Sequence, residues 1–142
     1  MAQNIFMSPA DVNQFLNIAQ KCLDIEDNWQ INNQPWANGK PNKTRNYMSS
    51  TGIKPEDIKQ VIKELSVKNY CYTRNDSNIR FPNEQVWIFG ITKNLIDQPE
   101  NFYVKLKLRT LATRLLLILS FHPEQPERPE DKLQFPYSNH TN

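Results

Sequence analysis

A chain of 142 residues that is 38% hydrophobic is long enough for one domain with one modest core, and it leaves polar segments over. Its net charge of +2 gives no global basicity that would argue for nucleic acid, and two cysteines with two histidines are too few for a disulfide framework or a zinc site. The longest apolar run, LLLIL, is too short to span a bilayer, and no basic stretch followed by an apolar one opens the sequence, so a cytoplasmic protein with free thiols and no membrane partner is expected.

In chain order, SPADVNQFLNIAQKCL opens a helix. Ser8 is a good N-cap, Pro9 suits the first helical position and Asp11 completes a capping box. Val12, Phe15, Leu16, Ala19 and Leu23 fall at helical spacing. Residues 26–51 are rich in Asn and Gln, with Pro35, Gly39 and Pro41, and read as a long polar loop. Within it TRNYMSS can form a turn or two of helix capped by Gly52, and Lys40, Lys43 and Arg45 lie near Trp36 and Tyr47. A second helix, KPEDIKQVIKEL, carries Pro55 at its first position, acids Glu56 and Asp57 at its positive end, and an Ile58, Val61, Ile62, Leu65 stripe.

The rest is strand-like. YCYTRNDSNIRF predicts a short strand running into a turn around NDSN, and QVWIFGI has β-favouring residues on both faces. FYVKLKLR alternates strictly and, across TLAT, is joined to RLLLILSFH, which together predict an antiparallel hairpin. Residues 125–142 are punctuated by prolines and predict an extended or disordered tail, whose aromatics Phe135 and Tyr137 could dock on the domain or a partner. The expected fold is therefore α+β, with a small antiparallel sheet packed by two N-terminal helices in a single domain of residues 1–124.

Charge is uneven along this layout. After His122, Glu124, Glu127, Glu130 and Asp131 stand against Arg128 and Lys132, a net of −2, which leaves +4 on residues 1–122. Residues 101–115 hold Lys105, Lys107, Arg109 and Arg114 and no acid. A four-residue hairpin loop at 110–113 would set Arg109 opposite Arg114 and Tyr103 opposite Ser120. Tyr103, Lys105, Lys107, Ser120 and His122 would then share one face. Phe102, Val104, Leu106, Leu108, Leu115, Leu117, Leu119 and Phe121 would share the core face. An edge strand stays soluble with lysines in the same way, so the pattern alone leaves an ordinary solvated face open. The functional reading needs no metal or other cofactor. Cations neutralise phosphates, tyrosine stacks an unpaired base, and a histidine with an ordinary pKa of roughly 6.5 moves protons near neutrality. Those are the parts needed to cleave RNA through its own 2′-hydroxyl.

ELSVKNYC, VWIFG, FYVKLKL and ILSFH, in that order across about residues 44–124, resemble the C-terminal half of the MqsR family. These are bacterial type II toxins, mRNA interferases with a RelE-like fold. The resemblance implies an endoribonuclease held silent by an antitoxin protein, with or without the ribosome. It implies Tyr103, Lys105 and His122 as catalytic residues. Lys107, Arg109, Arg74, Tyr72 and Tyr70 are the candidates for RNA contact. Two departures stand out. Where some members carry a catalytic lysine this chain reads Tyr70-Cys71-Tyr72, with Arg74 the nearest cation, and where some carry a polar residue after the tryptophan it has Ile88. A non-catalytic RNA-binding module and a protein-interaction module using an exposed sheet edge are the alternative readings.

Overall fold

The computed structural model describes residues 3–32, 41–76, 84–110, 113–126 and 128–140. The middle of the expected 26–51 loop, with Trp36 and Lys40, lies outside the described residues, as do part of the NDSN turn and Leu111 and Ala112 of the hairpin connection. Among the described residues, three α-helices, α1 (Pro9–Cys22), α2 (Lys43–Thr51) and α3 (Pro55–Lys63), accompany five strands, β1 (Trp29–Ile31), β2 (Tyr70–Asn75), β3 (Gln85–Ile96), β4 (Gln98–Thr110) and β5 (Arg114–Pro123). The sheet order is β1-β5-β4-β3-β2, and the class is α+β.

Local chemistry explains the helices. The Ser8 hydroxyl accepts from the Asp11 amide at 3.2 Å, and Asp57 accepts from the Lys54 amide at 2.9 Å, so each N-terminus satisfies a backbone donor. α1 buries Val12, Phe15, Leu16, Ala19 and Cys22, and α3 buries Ile58, Val61 and Ile62. Both stripes meet the apolar sheet face formed by Phe89, Phe102, Val104, Leu106, Leu116, Ile118 and Phe121. Phe15 stacks on Trp87 at 4.2 Å, and Phe102 on Phe121 at 4.9 Å.

Two expectations are corrected. The sheet is mixed, because β1 joins β5 in parallel with Trp29 opposite Leu116 and Ile31 opposite Ile118. Second, the polar 26–51 segment is not simply a loop. It carries β1, a strand too short to show a period, while the helix expected at TRNYMSS is present as α2, where Asn42 accepts from the Arg45 amide at 3.0 Å and Gly52 closes the helix at φ 78° as expected. The Thr44 hydroxyl of α2 accepts from the Phe121 amide at 2.8 Å, which pins this third helix to β5. The proline-punctuated tail meets the domain through Tyr137, one of the two aromatics expected to dock. Tyr137 stacks on Tyr70 at 6.0 Å and donates to the Met7 carbonyl at 2.6 Å, while the Leu133 amide donates to Glu124 at 2.7 Å.

The β4–β5 register also differs. Thr110 pairs with Arg114, so Arg109 faces Leu115, and Lys107 faces Leu117. A bulge between Lys105 and Leu106 then leaves Leu119 without a partner, beyond which Lys105 faces Ser120 and Tyr103 faces His122. Leu116 and Ile118 are consequently core residues, whereas Leu117 and Leu119 line the opposite face, against expectation.

Candidate functional site

The sheet face away from the helices forms the floor of an open cleft of about 1230 Å³. Two rows of ladder partners cross the sheet here, and Tyr72, Tyr103, Lys105, Ser120 and His122 of them line the cleft. Gly90, Tyr103 and His122 are successive ladder partners across β3, β4 and β5, and Tyr72, Ile88, Lys105 and Ser120 form the next row across β2 to β5. The walls are the start of α2 on one side and, on another, residues 124–126 and 130–134 of a C-terminal strap that continues to Tyr137.

Tyr103 and His122 meet as a cross-strand pair, with ring centroids 5.4 Å apart and planes 20° from parallel. The His122 Nδ1 lies 2.9 Å from the Pro123 carbonyl. A carbonyl only accepts, so Nδ1 carries the proton and a neutral ring presents Nε2 as a base. Burial lowers the His122 pKa below its ordinary value, the Pro123 carbonyl opposes that, and the positive charge of Lys43 lowers it further. Burial raises the Tyr103 pKa, and the charge of and hydrogen bond to Tyr72 raise it further, so its phenol stays protonated. The site therefore pairs a neutral imidazole with a protonated phenol.

The cations divide into two groups. Lys105 is half-buried and its pKa is lowered, first by burial, with Asp76 opposing and Lys107 and Arg74 adding to the fall. Arg74 is exposed, lies 5.0 Å from the Tyr72 ring centroid and donates to Asn4 at 2.7 Å. Lys107, by contrast, is buried and ion-paired to Asp76 and, at 3.1 Å, to Glu84. Arg109 makes a two-pronged pair with the same Glu84, at 3.0 and 3.1 Å. The Asp76 amide donates to the Glu84 carbonyl at 2.9 Å, which holds the two acids side by side beneath both cations. Lys107 and Arg109, expected to grip RNA, are thus committed to ion pairs within the fold.

Tyr70 is a further correction. It is fully buried in the helix-side core, its hydroxyl donates to the Ile5 carbonyl or shares a 2.7 Å hydrogen bond with Thr73, and it offers no face to a base. Tyr72 does line the cleft. Two cleft residues had weak sequence signals. Lys43 lay in the polar segment and could have been a solvated-loop cation, yet α2 carries it close enough to shift His122. Phe6 precedes the first helix with no period around it, and it stands 60% exposed at the rim.

Both thiols are poor nucleophiles, since burial raises the Cys22 pKa and pushes Cys71 up to about 12. Among the described residues no three His, Cys, Asp or Glu side chains converge as a metal site, and no helix is long and apolar enough to cross a membrane. The sheet edges are limited as docking strands. β1 has three residues, and the outer edge of β2 is bridged where Ile5 and Thr73 exchange backbone hydrogen bonds of 2.7 and 2.8 Å. No family model, curated protein or solved structure matches this chain.

Proposed function

We propose that this chain is a metal-independent endoribonuclease, similar to the MqsR toxins with their RelE-like fold, and that a cognate antitoxin silences it. The observation that carries the reading is the stacked Tyr103–His122 pair, a neutral base against a protonated phenol, on the floor of a cleft that also holds Lys105 and Arg74.

The chemistry follows from these groups. His122 Nε2 takes the proton from a ribose 2′-hydroxyl, and the 2′ oxygen attacks the adjacent phosphorus. Lys105 and Arg74 stabilise the charge gathered on the phosphorane oxygens. The bond from phosphorus to the 5′ oxygen breaks, and the Tyr103 phenol protonates that oxygen. The products are a 2′,3′-cyclic phosphate and a 5′-hydroxyl. Arg74 and His122 take up the functions left open by the departures at Tyr70-Cys71-Tyr72 and Ile88. Tyr72 orients the Tyr103 hydroxyl.

Purified protein incubated with a defined RNA in excess EDTA tests this. Cleavage leaving a cyclic phosphate, reduced about 10²–10⁴-fold in His122→Ala, is expected. Equal activity of wild type and His122→Ala at matched protein levels overturns the assignment. Binding without cleavage by either chain would replace it with an RNA-binding module.

A further inference from the structure

Gly90 sits inside β3, where a residue without a side chain weakens a strand unless something needs the space. A Cβ there would lie 2.8 Å from Leu133 Cδ1 and 2.8 Å from Phe135 Cζ. The strap therefore sits directly on the glycine backbone. Gly90 is also the ladder partner of Tyr103, which in turn pairs with His122. The missing side chain leaves a slot over the Gly90 backbone, and the ends of Leu133 and Phe135 fill it.

The strap is anchored at its two ends and lies shallow between them. Leu133 is tied back to Glu124, and Tyr137 is tied to Met7 and stacked on Tyr70. Leu133 is only half-buried, and Phe135 is 37% exposed. The acids Glu130 and Asp131 pair with Arg128 on the strap itself.

We propose that the slot over Gly90 is a subsite for one unpaired base of single-stranded RNA, and that the strap is its resident occupant, displaced when RNA enters. The inference rests on the RNA reading of the same cleft. A base seated in the slot lies over the ladder partner of Tyr103, one row from Lys105. Base–aromatic stacking of about 1–3 kcal/mol is enough to exchange with shallow apolar contacts.

Two measurements test the exchange. The first uses the intact chain and a 2′-O-methyl oligoribonucleotide, which cannot be cleaved by the 2′-hydroxyl route. Saturating oligonucleotide should speed trypsin cleavage after Lys132 several-fold, because the strap is released. Protection or no change overturns the proposal. The second compares intact chain with Leu133→Ser/Phe135→Ser by fluorescence anisotropy, after circular dichroism shows both folded. The variant should bind about 10-fold tighter, since it no longer spends binding free energy on displacement. Equal or weaker binding by the variant overturns the strap proposal and leaves the RNA reading standing. Failure of both chains to bind overturns the RNA reading and the slot with it.

Discussion

Lys107→Met separates a structural lysine from an RNA-gripping one. The Lys107 side chain is 5% exposed, and its partners Asp76 and Glu84 are 16% and 17% exposed. At an effective dielectric of about 20, a charge pair at the 3.1 Å Lys107–Glu84 distance attracts by ~5 kcal/mol before desolvation. Methionine keeps the volume and leaves the carboxylates of Asp76 and Glu84 facing an apolar stem. Breaking one partner out of a buried pair costs about 3–5 kcal/mol. With a urea m-value of about 2 kcal/mol/M, the unfolding midpoint should fall by roughly 2 M with m unchanged. Lys105→Met provides the contrast. Its ammonium is disfavoured by burial, so losing it leaves stability within about 1 kcal/mol of wild type or higher. The salt slope of RNA binding should drop by about 0.7 for that variant and stay unchanged for Lys107→Met in the folded state. Urea titrations followed by tryptophan fluorescence, with anisotropy at several salt concentrations, read both quantities. If Lys107→Met unfolds within about 1 kcal/mol of wild type and flattens the salt slope, the ion-pair reasoning is wrong.

The pH profile of cleavage should rise on its acid side through a pKa below the ordinary 6.5 of histidine, because His122 must be neutral to act as base, and Lys43→Gln should move that limb upward. The alkaline limb should belong to Lys105, whose pKa is lowered, rather than to Tyr103, whose pKa is raised; Lys105→Arg should then remove it from kcat/KM profiles. Glu84 has a folded pKa below its ordinary 4.5, chiefly through its hydrogen bond to Arg109. Its contribution to stability is thus complete above about pH 4.5 and is lost as pH falls through the folded value, and Glu84→Gln should flatten that part of the acid unfolding curve. Thr44→Val leaves the buried Phe121 amide without its acceptor and should cost about 1–3 kcal/mol in thermal or urea unfolding.

The elements that were legible in the sequence carry their own punctuation. Ser8-Pro9 and Pro55 with Asp57 mark helix starts, and each helix shows an apolar stripe wide enough to define its buried face. β1 was not legible, because three residues carry no period and its pairing with β5 depends on a contact about 87 positions away, Trp29 with Leu116. The ion pairs of Lys107 and Arg109 were hidden for a similar reason. Their partners Asp76 and Glu84 sit on the β2–β3 connection, and only the fold shows that these acids lie beneath the cations. A run of cations on one strand face is equally consistent with a phosphate grip and with neutralised core-edge lysines until the neighbouring loop is placed.

The sequence reading set Tyr103 opposite Ser120, and that Tyr103 and His122 share a face was legible only because two shifts from the expected register restore its parity. A four-residue hairpin loop puts odd residues of β4 opposite even residues of β5. The true pairing from Thr110 and Arg114 puts odd opposite odd near the turn, so that Leu115 and Leu117 face Arg109 and Lys107. Carried on without interruption, it would set Tyr103 opposite Phe121 and turn His122 toward the helices. The bulge at Leu119 adds one residue to β5, restores the odd–even relation, and brings His122 back beside Tyr103. The sequence could not announce this. Leu115 to Leu119 are all aliphatic, so the stretch has no alternation from which parity can be read, and a bulge needs no glycine to mark it. What fixes the parity is the far end. Phe121 must enter the core against Phe102, and its amide must reach Thr44, which leaves His122 no face but the cleft.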